Sequence, residues 1–539
     1  MKTIIIDGYV DEPTCLGVPF YISTYIRYVA GALKLSVSSE ADYITIDDLR
    51  SRDFELGDYD YSVIIAGNPV PGKYLGGIPI KANEFSKIAK TNPSVRFLAG
   101  GPVSFTINAD FDNLKFVEGD IEAYIVSFFG NGKCKSVTRE INDLNRYAVA
   151  GAFITEKHPR FPDIIAEIET GRGCPRLIHC SFCIEGTYPV VFRDEKDIIS
   201  EMKSLYDFGV RHFRIGKQAD LFAYKSDLQN TKNGFSKPSP AALEALFSGI
   251  RDSLPDLKTL HIDNVNPGTI ANFPDESYKI METVAKYNTA GDVAALGMES
   301  ADLEVISKNG LKASPDEVYR AIRMLNEAGG FRVDGIPKLL PGINLIRGLP
   351  GETRRTFVDN YEFLKRVYDD GLMLRRINIR QINLLPGTRA FNSKRADFRE
   401  EKKLDAIFRN YRRKIRDEID EPMLKRVFPA GTVFTDTVVE QIRGDRSLAR
   451  NIGTYPIVIN IPKKLPVLSR VSVFIVGYRE RSLVGLQCPL RIASASLAEL
   501  KQIPGLGKRA GELFVKKKIM PEDIAGSPVC QFIKKHLIF

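Results

Sequence analysis

Between residues 151 and 400 the chain repeats one pattern: a short apolar run, a polar turn, then a helical stretch such as the one near 195–206. The first run, 164–168, ends in Glu169-Thr170, and 210–215 enters Gly216-Lys217-Gln218-Ala219-Asp220. The run 259–263 ends in Asn264, and 293–297 enters Met298-Glu299-Ser300-Ala301-Asp302. The run 342–346 enters Arg347-Gly348-Leu349-Pro350-Gly351-Glu352-Thr353, and 376–382 enters Asn383-Leu384-Leu385-Pro386-Gly387-Thr388. Parallel strands need long crossovers, and helices are the usual ones. The repetition therefore predicts a partial (β/α) barrel whose polar residues gather at strand C-termini, where such barrels build active sites.

The first of these turns carries the sharpest chemistry: Gly171-Arg172-Gly173-Cys174-Pro175-Arg176-Leu177-Ile178-His179-Cys180-Ser181-Phe182-Cys183. Thiolates are soft ligands that select iron–sulfur clusters or zinc. A cubane takes four cysteines, one per iron. Three with no obvious fourth leave one iron open to a substrate or cofactor. On the loop alone, three cysteines with His179 also make a structural zinc set.

The cysteine loop resembles that of the radical S-adenosylmethionine (SAM) superfamily, with five residues instead of three between the first two cysteines. The resemblance implies that Cys174, Cys180 and Cys183 hold a [4Fe–4S] cluster whose open iron is chelated by SAM. One electron then cleaves SAM to a 5′-deoxyadenosyl radical. It also implies that Phe182 packs near the adenine. Gly297-Met298-Glu299-Ser300 resembles the segment that meets the SAM ribose or methionyl end, which assigns Glu299 and Ser300 to that cofactor. The stretch from Ile343 to Thr353 resembles the motif beside the adenine and brings in Gly348 and Glu352. Gly216 stands where a glycine-rich motif exposes backbone to the SAM amino group, although Gly-Lys-Gln replaces Gly-Gly-Glu. In this order after the cysteine loop, these motifs weigh against a site for zinc alone.

Residues 1–150 also alternate strand-like runs, at 3–7, 61–67 and 95–101, with helical stretches near 22–33 and 82–91. A Rossmann-like open sheet is expected, with ligands at the carboxyl ends of its strands, at loops 7–20, 67–73 and 100–105. This segment resembles the cobalamin-binding domain that precedes many radical SAM cores. All five histidines lie at 158 or beyond, so the histidine that supplies cobalt's lower ligand is missing. The domain either binds cobalamin without a histidine or serves packing and substrate contacts alone.

The C-terminal quarter differs in charge. Residues 401–539 hold 26 Lys and Arg against 14 Asp and Glu, a net of +12, while the whole chain is +9. That leaves −3 for residues 1–400 and suggests a polyanionic partner for the tail; a basic but solvated surface is the alternative. From about 428 to 485 the residues are β-rich and resemble the small RNA-binding barrel called TRAM, with Tyr455 and Phe474 as candidate base platforms and core packing the expected role of Phe474. Residues 494–513, around Ile503-Pro504-Gly505-Leu506-Gly507-Lys508-Arg509, resemble a helix-hairpin-helix. There Gly505, Gly507, Lys508 and Arg509 would hold a nucleic-acid phosphate.

The expected organisation is α/β: a Rossmann-like domain over 1–150, a radical SAM core over 151–400, a linker helix and TRAM-like segment over 401–490, and the hairpin over 491–539. The whole resembles the archaeal radical SAM group with a C-terminal helix-hairpin-helix. The expected function is modification of a nucleic acid, RNA and above all tRNA before DNA, with an external electron donor. A protein- or metabolite-modifying radical enzyme is the alternative. Seven cysteines, an odd number with three clustered, point to a reducing compartment. Neither a signal peptide nor an apolar membrane span is found, so a cytoplasmic enzyme is expected.

Overall fold

A computed structural model of the chain describes every residue except 11–19, 68–75, 106–110, 132–137, 394–397, 507–508, 517–518, 525–530 and 532. The chain forms two compact units, Met1–Tyr287 with Asn383–Ser393, and Asn288–Ile382 with Lys394–Phe539.

The first unit begins with a parallel five-stranded sheet in the order Asp42–Thr45, Thr3–Asp7, Tyr61–Ile65, Arg96–Gly100, Leu114–Phe116. Its apolar strands are buried by elements on both faces, as parallel sheets require. Ile6, Ile64 and Phe97 pack with Phe85 of the helix Ala82–Thr91. The strand order reverses between Thr3–Asp7 and Tyr61–Ile65, the place where open α/β sheets hold ligands. Most of the expected loops 7–20 and 67–73 lies outside the described residues.

The helix Thr24–Val37 crosses Ile141–Ala150 at very close range because both partners offer a glycine. A Cβ on Gly31 would strike the Tyr147 carbonyl, and one on Gly151 would strike the Arg27 carbonyl. A second parallel sheet follows, in the order Thr259–Ile262, His212–Ile215, Ile165–Ile168, Tyr21–Ile22. Its edge strand comes from the N-terminal segment.

The second unit contains the parallel strands Asp292–Glu299, Leu339–Arg347 and Arg376–Gln381. Side chains alternate across a sheet. Leu345, Ile346, Arg347 and Ile379 line one cavity with Phe357 and Asn360 of the helix Arg354–Asp369, and Leu345, Arg347 and Ile379 share one face of the sheet by register. The opposite face therefore carries Asn344, Arg376, Asn378 and Arg380. The helix Phe398–Ile415 continues through the π-turn Arg416–Asp420 into Glu421–Val427.

A closed five-stranded barrel follows, built from Val433–Arg443, Arg446–Arg450, Val458–Ile461, Ser482–Gln487 and Arg470–Arg479. Phe474 is buried in it, and Tyr455 is buried against Val293 and Ala295. Both rings are therefore packing residues and not base platforms. Two short helices, Leu497–Leu500 and Ala510–Lys516, share a core with the barrel through Leu500, Ile503, Leu506, Ala510 and Leu513.

Candidate active site

In the first unit the cysteine loop leaves the strand Ile165–Ile168. It is closed at its base by an antiparallel pairing of Gly171–Arg172 with Val191–Phe192. Gly173 turns with φ +82°, and a Cβ there would lie 2.5 Å from the Pro189 carbonyl. Within the loop the Cys183 N–H donates to the Cys180 carbonyl at 3.2 Å.

The long span between Cys174 and Cys180 is strapped on two sides. The Leu177 N–H donates to the Gly234 carbonyl at 3.0 Å, and the Ser236 hydroxyl to Pro175 at 3.2 Å. From the segment 383–393, the Ala390 N–H donates to Ser181 at 2.8 Å and the Arg389 guanidinium to His179 at 2.6 Å. The two extra residues therefore lengthen a held loop without loosening it.

Cys174, Cys180 and Cys183 form no disulfide, Cys180 being buried and the other two half-buried. Arg176 Nη1 donates to Cys180 Sγ at 3.4 Å, the kind of hydrogen bond to sulfur that tunes cluster potentials. His179 Nε2 is directed at the Cys174 carbonyl at 3.3 Å, and its ring lies over Gly186, where a Cβ would come within 2.5 Å. His179 is thus engaged with backbone. Among the described residues no three His, Cys, Asp or Glu side chains are gathered around one ion. A cubane does not require that, because each thiolate meets a different iron. Three cysteines outside any disulfide on one held loop, with a histidine turned to the backbone, fit a three-cysteine cluster.

Phe182 is half-buried in the same loop. Gly216 ends the neighbouring strand, its N–H donating to the Ile168 carbonyl at 3.1 Å. A Cβ on Gly216 would meet Glu167 Oε1 at 2.8 Å and Arg214 Nε at 2.9 Å. Glycine is needed there because a buried charge network lies beneath it. Arg214 bridges Glu167 at 3.4 Å and also pairs with Asp263, while the Tyr21 hydroxyl donates to Glu167. The sequence reading missed this network. Its signal was present: charged residues at alternate positions of otherwise apolar strands, Glu167 directly opposite Arg214.

In the second unit the structure brings Glu299, Ser300, Gly348 and Glu352 to the C-terminal ends of two paired strands. Glu299 has φ +67°, and the register slips between Gly297 and Glu299 so that Met298 is bulged. Bulges re-aim side chains near active sites. The Glu299 carboxylate lies 3.8 Å from Lys312 Nζ and is 6% exposed as a residue. Burial raises its pKa, and Lys312 and Arg380 oppose the rise.

Ser300 accepts the Asp302 N–H at 3.2 Å, which shapes the turn into the helix Leu303–Asn309. Glu352 accepts the Gly348 N–H at 2.8 Å and closes its own turn. Gly348 needs its φ of +90°, and a Cβ there would meet Gln381 Nε2 at 2.8 Å. Burial pushes Glu352 up to about 7 against the pull of that N–H and Arg347. Of the four, Glu299 alone is held in a strained backbone without closing a turn. In the tail, Gly505 has φ +93° and Arg509 pairs with Asp523 at 2.9 Å. Gly507 and Lys508 lie outside the described residues.

Residues 168–364 match the radical SAM superfamily. Over 524 residues the chain is 43% identical to an uncharacterized protein of Archaeoglobus fulgidus, covering 96% of each. It belongs to the radical SAM superfamily. An uncharacterized protein of Methanocaldococcus jannaschii is 42% identical, over 90% of this chain and 93% of the relative. A third relative is the ribosomal protein uS12 methylthiotransferase RimO of Phocaeicola vulgatus. It is 27% identical over 41% of this chain and 46% of its own length. This radical SAM protein is therefore an enzyme that uses a [4Fe–4S] cluster, SAM and a reductant. Among the described residues no helix is long and apolar enough to cross a membrane.

Proposed function

We propose that this radical SAM enzyme modifies a nucleic acid, with tRNA as its substrate, by methylation or a related functionalisation of a C–H bond. The observation that carries the substrate class is the coincidence of the +12 charge of residues 401–539 with a small closed barrel and a two-helix hairpin. Small barrels bind single strands in basic grooves, and a basic surface on such a module is an electrostatic footprint for phosphates.

Cys174, Cys180 and Cys183 would hold the cluster, which when reduced supplies the electron that cleaves SAM. Gly216 would offer backbone to the SAM amino group and Phe182 an apolar surface to its adenine. Glu299 would orient the ribose or methionyl end, and the turn from Gly348 to Glu352 would border the adenine.

The N-terminal sheet supports a further cofactor, cobalamin, at its switch point. Residues 1–150 contain no histidine, so cobalt would lack a protein imidazole from this domain. They contain only Cys15 and Cys134, too few thiols for a second three-cysteine cluster, which disfavours methylthiolation. Similarity to RimO, whose name gives a ribosomal protein as substrate, favours the second reading, modification of a protein.

The deciding experiment compares tRNA nucleosides by mass spectrometry in a strain lacking this protein and its parent. Loss of one modified nucleoside is expected. An unchanged tRNA nucleoside profile, with an altered peptide mass in the ribosomal proteins, would replace this reading with the second.

A further inference from the structure

On the face of the second unit's sheet opposite the helix Arg354–Asp369, two guanidiniums, Arg376 and Arg380, leave N–H groups without an acceptor among the described residues. Arg376 and Arg380 occupy alternate positions of one strand, beside Gly342 and Ile346 of the next. Arg376 lies over the Tyr455 ring, 4.4 Å from its centroid, and Nη2 donates to Asn378 Oδ1 at 3.2 Å. Its Nε and Nη1 are enclosed and meet no acceptor among the described residues, and the same holds for Arg380 Nη2. Both residues remain partly exposed, so solvent reaches them.

Neighbouring groups add positive charge. Arg375, on the other side of Tyr455, donates to its carbonyl at 2.9 Å and has an unpartnered Nε. Arg481 stands at the exposed rim. Burial lowers the Arg376 pKa to about 9; Tyr455 opposes, while Arg380, Arg481 and Arg375 lower it further. The nearby acids make their ion pairs with other cations, Asp420 with Arg416 and Glu299 with Lys312 at 3.8 Å, and act on Arg376 and Arg380 without pairing with them.

Buried charges are normally paired, since desolvation costs several kcal/mol per ion. Arginine's planar fork matches tetrahedral oxyanions, and several unpaired donors converging here suit a dianion better than a single carboxylate. We propose that Arg376 and Arg380 form an oxyanion site that takes a phosphoryl group of the substrate, beside Glu299. Its assignment to the substrate rests on the function proposed above. The site itself stands on the geometry alone.

Inorganic phosphate, titrated at constant ionic strength into the reconstituted full-length protein, tests it. A ligand that binds only the folded state raises Tm by mass action. Wild type should show a saturable rise. The variant Arg376→Gln with Arg380→Gln should bind phosphate at least about tenfold more weakly, as expected for lost charged hydrogen bonds. Without phosphate it should melt no lower than wild type, because an unpaired buried charge has been removed.

A wild-type protein indifferent to phosphate, or a double variant with the wild-type response, overturns the site. SAM affinity should fall far less than phosphate affinity in the variant, since Arg380 acts on Glu299 only at a distance. Parallel loss of SAM binding would make the pair a SAM carboxylate anchor and also overturn it. Displacement of phosphate by a short single-stranded RNA supports the site and the RNA reading together. Displacement by a 5′-mononucleotide and not by RNA supports the site while removing the RNA reading.

Discussion

Glu299 is held at φ +67°, a region that costs a non-glycine residue on the order of 1–3 kcal/mol and persists where the surroundings over-determine it. The surroundings here are the bulge at Met298 and Lys312, whose Nζ occupies the space a Cβ on Gly297 would need. Strain of this kind, with a buried carboxylate at its centre, supports a role in orienting a cofactor. Glu299→Ala is expected to slow reductive release of 5′-deoxyadenosine by at least about tenfold, the size of one lost charged hydrogen bond. Iron content should not change; wild-type cleavage by the variant would remove the assignment. Cys→Ala at 174, 180 or 183 should instead abolish both iron and cleavage after anaerobic reconstitution, since each thiolate serves its own iron. Glu352 makes a different prediction, one of stability. Burial holds its folded pKa at about 7, above the ordinary glutamate value of 4.5. The native state therefore binds more protons than the unfolded state between those values, and its stability falls as pH rises through them. Glu352→Gln keeps an acceptor for the Gly348 N–H and removes the titration. It should be stabilising above pH 7, by up to about 3 kcal/mol, and near neutral below pH 4.5. Urea melts at the two pH extremes measure this directly.

The contact of Thr24–Val37 with the chain around Ile141–Gly151 depends on two missing side chains. Gly31→Ala would drive a methyl into the Tyr147 carbonyl, which belongs to backbone and cannot swing aside. A loss of about 3 kcal/mol is expected, the upper end of ordinary overpacking, read as a lower urea midpoint with an unchanged slope. Neither glycine stood out in the sequence, because close approach is a property of two distant segments and each looks ordinary alone. The same reason explains the other omissions. Apolar runs bounded by glycine or polar residues made the strands legible, and Ala82–Thr91 was legible from its helical pattern. Tyr21–Ile22 is too short to show any period, and only its pairing with Ile165 and Ala166 makes it a strand. Arg376 and Arg380 were visible as cations in a strand-like run, but that some of their N–H groups meet no acceptor appears only when the surrounding residues are in place. The cysteine loop was readable because its chemistry lies within a few consecutive residues. Glu299 was readable from its motif, while its strain required the backbone.

Across the molecule the division of charge matters most for what the enzyme acts on. Residues 1–400 sum to −3 and residues 401–539 to +12, so the charge that attracts a polyanion lies in the last quarter of the chain. If the basic end grips a phosphate backbone, affinity for RNA must fall steeply with salt, because each neutralised phosphate releases counterion. For a single strand the slope of log K against log salt is about −0.7 per phosphate. Arg509 is exposed and pairs with Asp523, an interaction that surface screening makes weak. Lys508→Glu with Arg509→Glu should therefore weaken RNA binding across all sequences and flatten the salt slope by about one to two phosphates. Sequence preference should not change, since backbone contacts carry no base information. Cluster content and SAM cleavage without substrate should survive, because these residues lie far along the chain from the three cysteines. The measurement is a salt titration of fluorescent RNA binding for wild type, this variant and Arg376→Gln with Arg380→Gln. A tail variant that binds RNA as tightly as wild type, with the same slope, would take the substrate away from the basic end. The similarity to RimO would then make a protein the leading substrate.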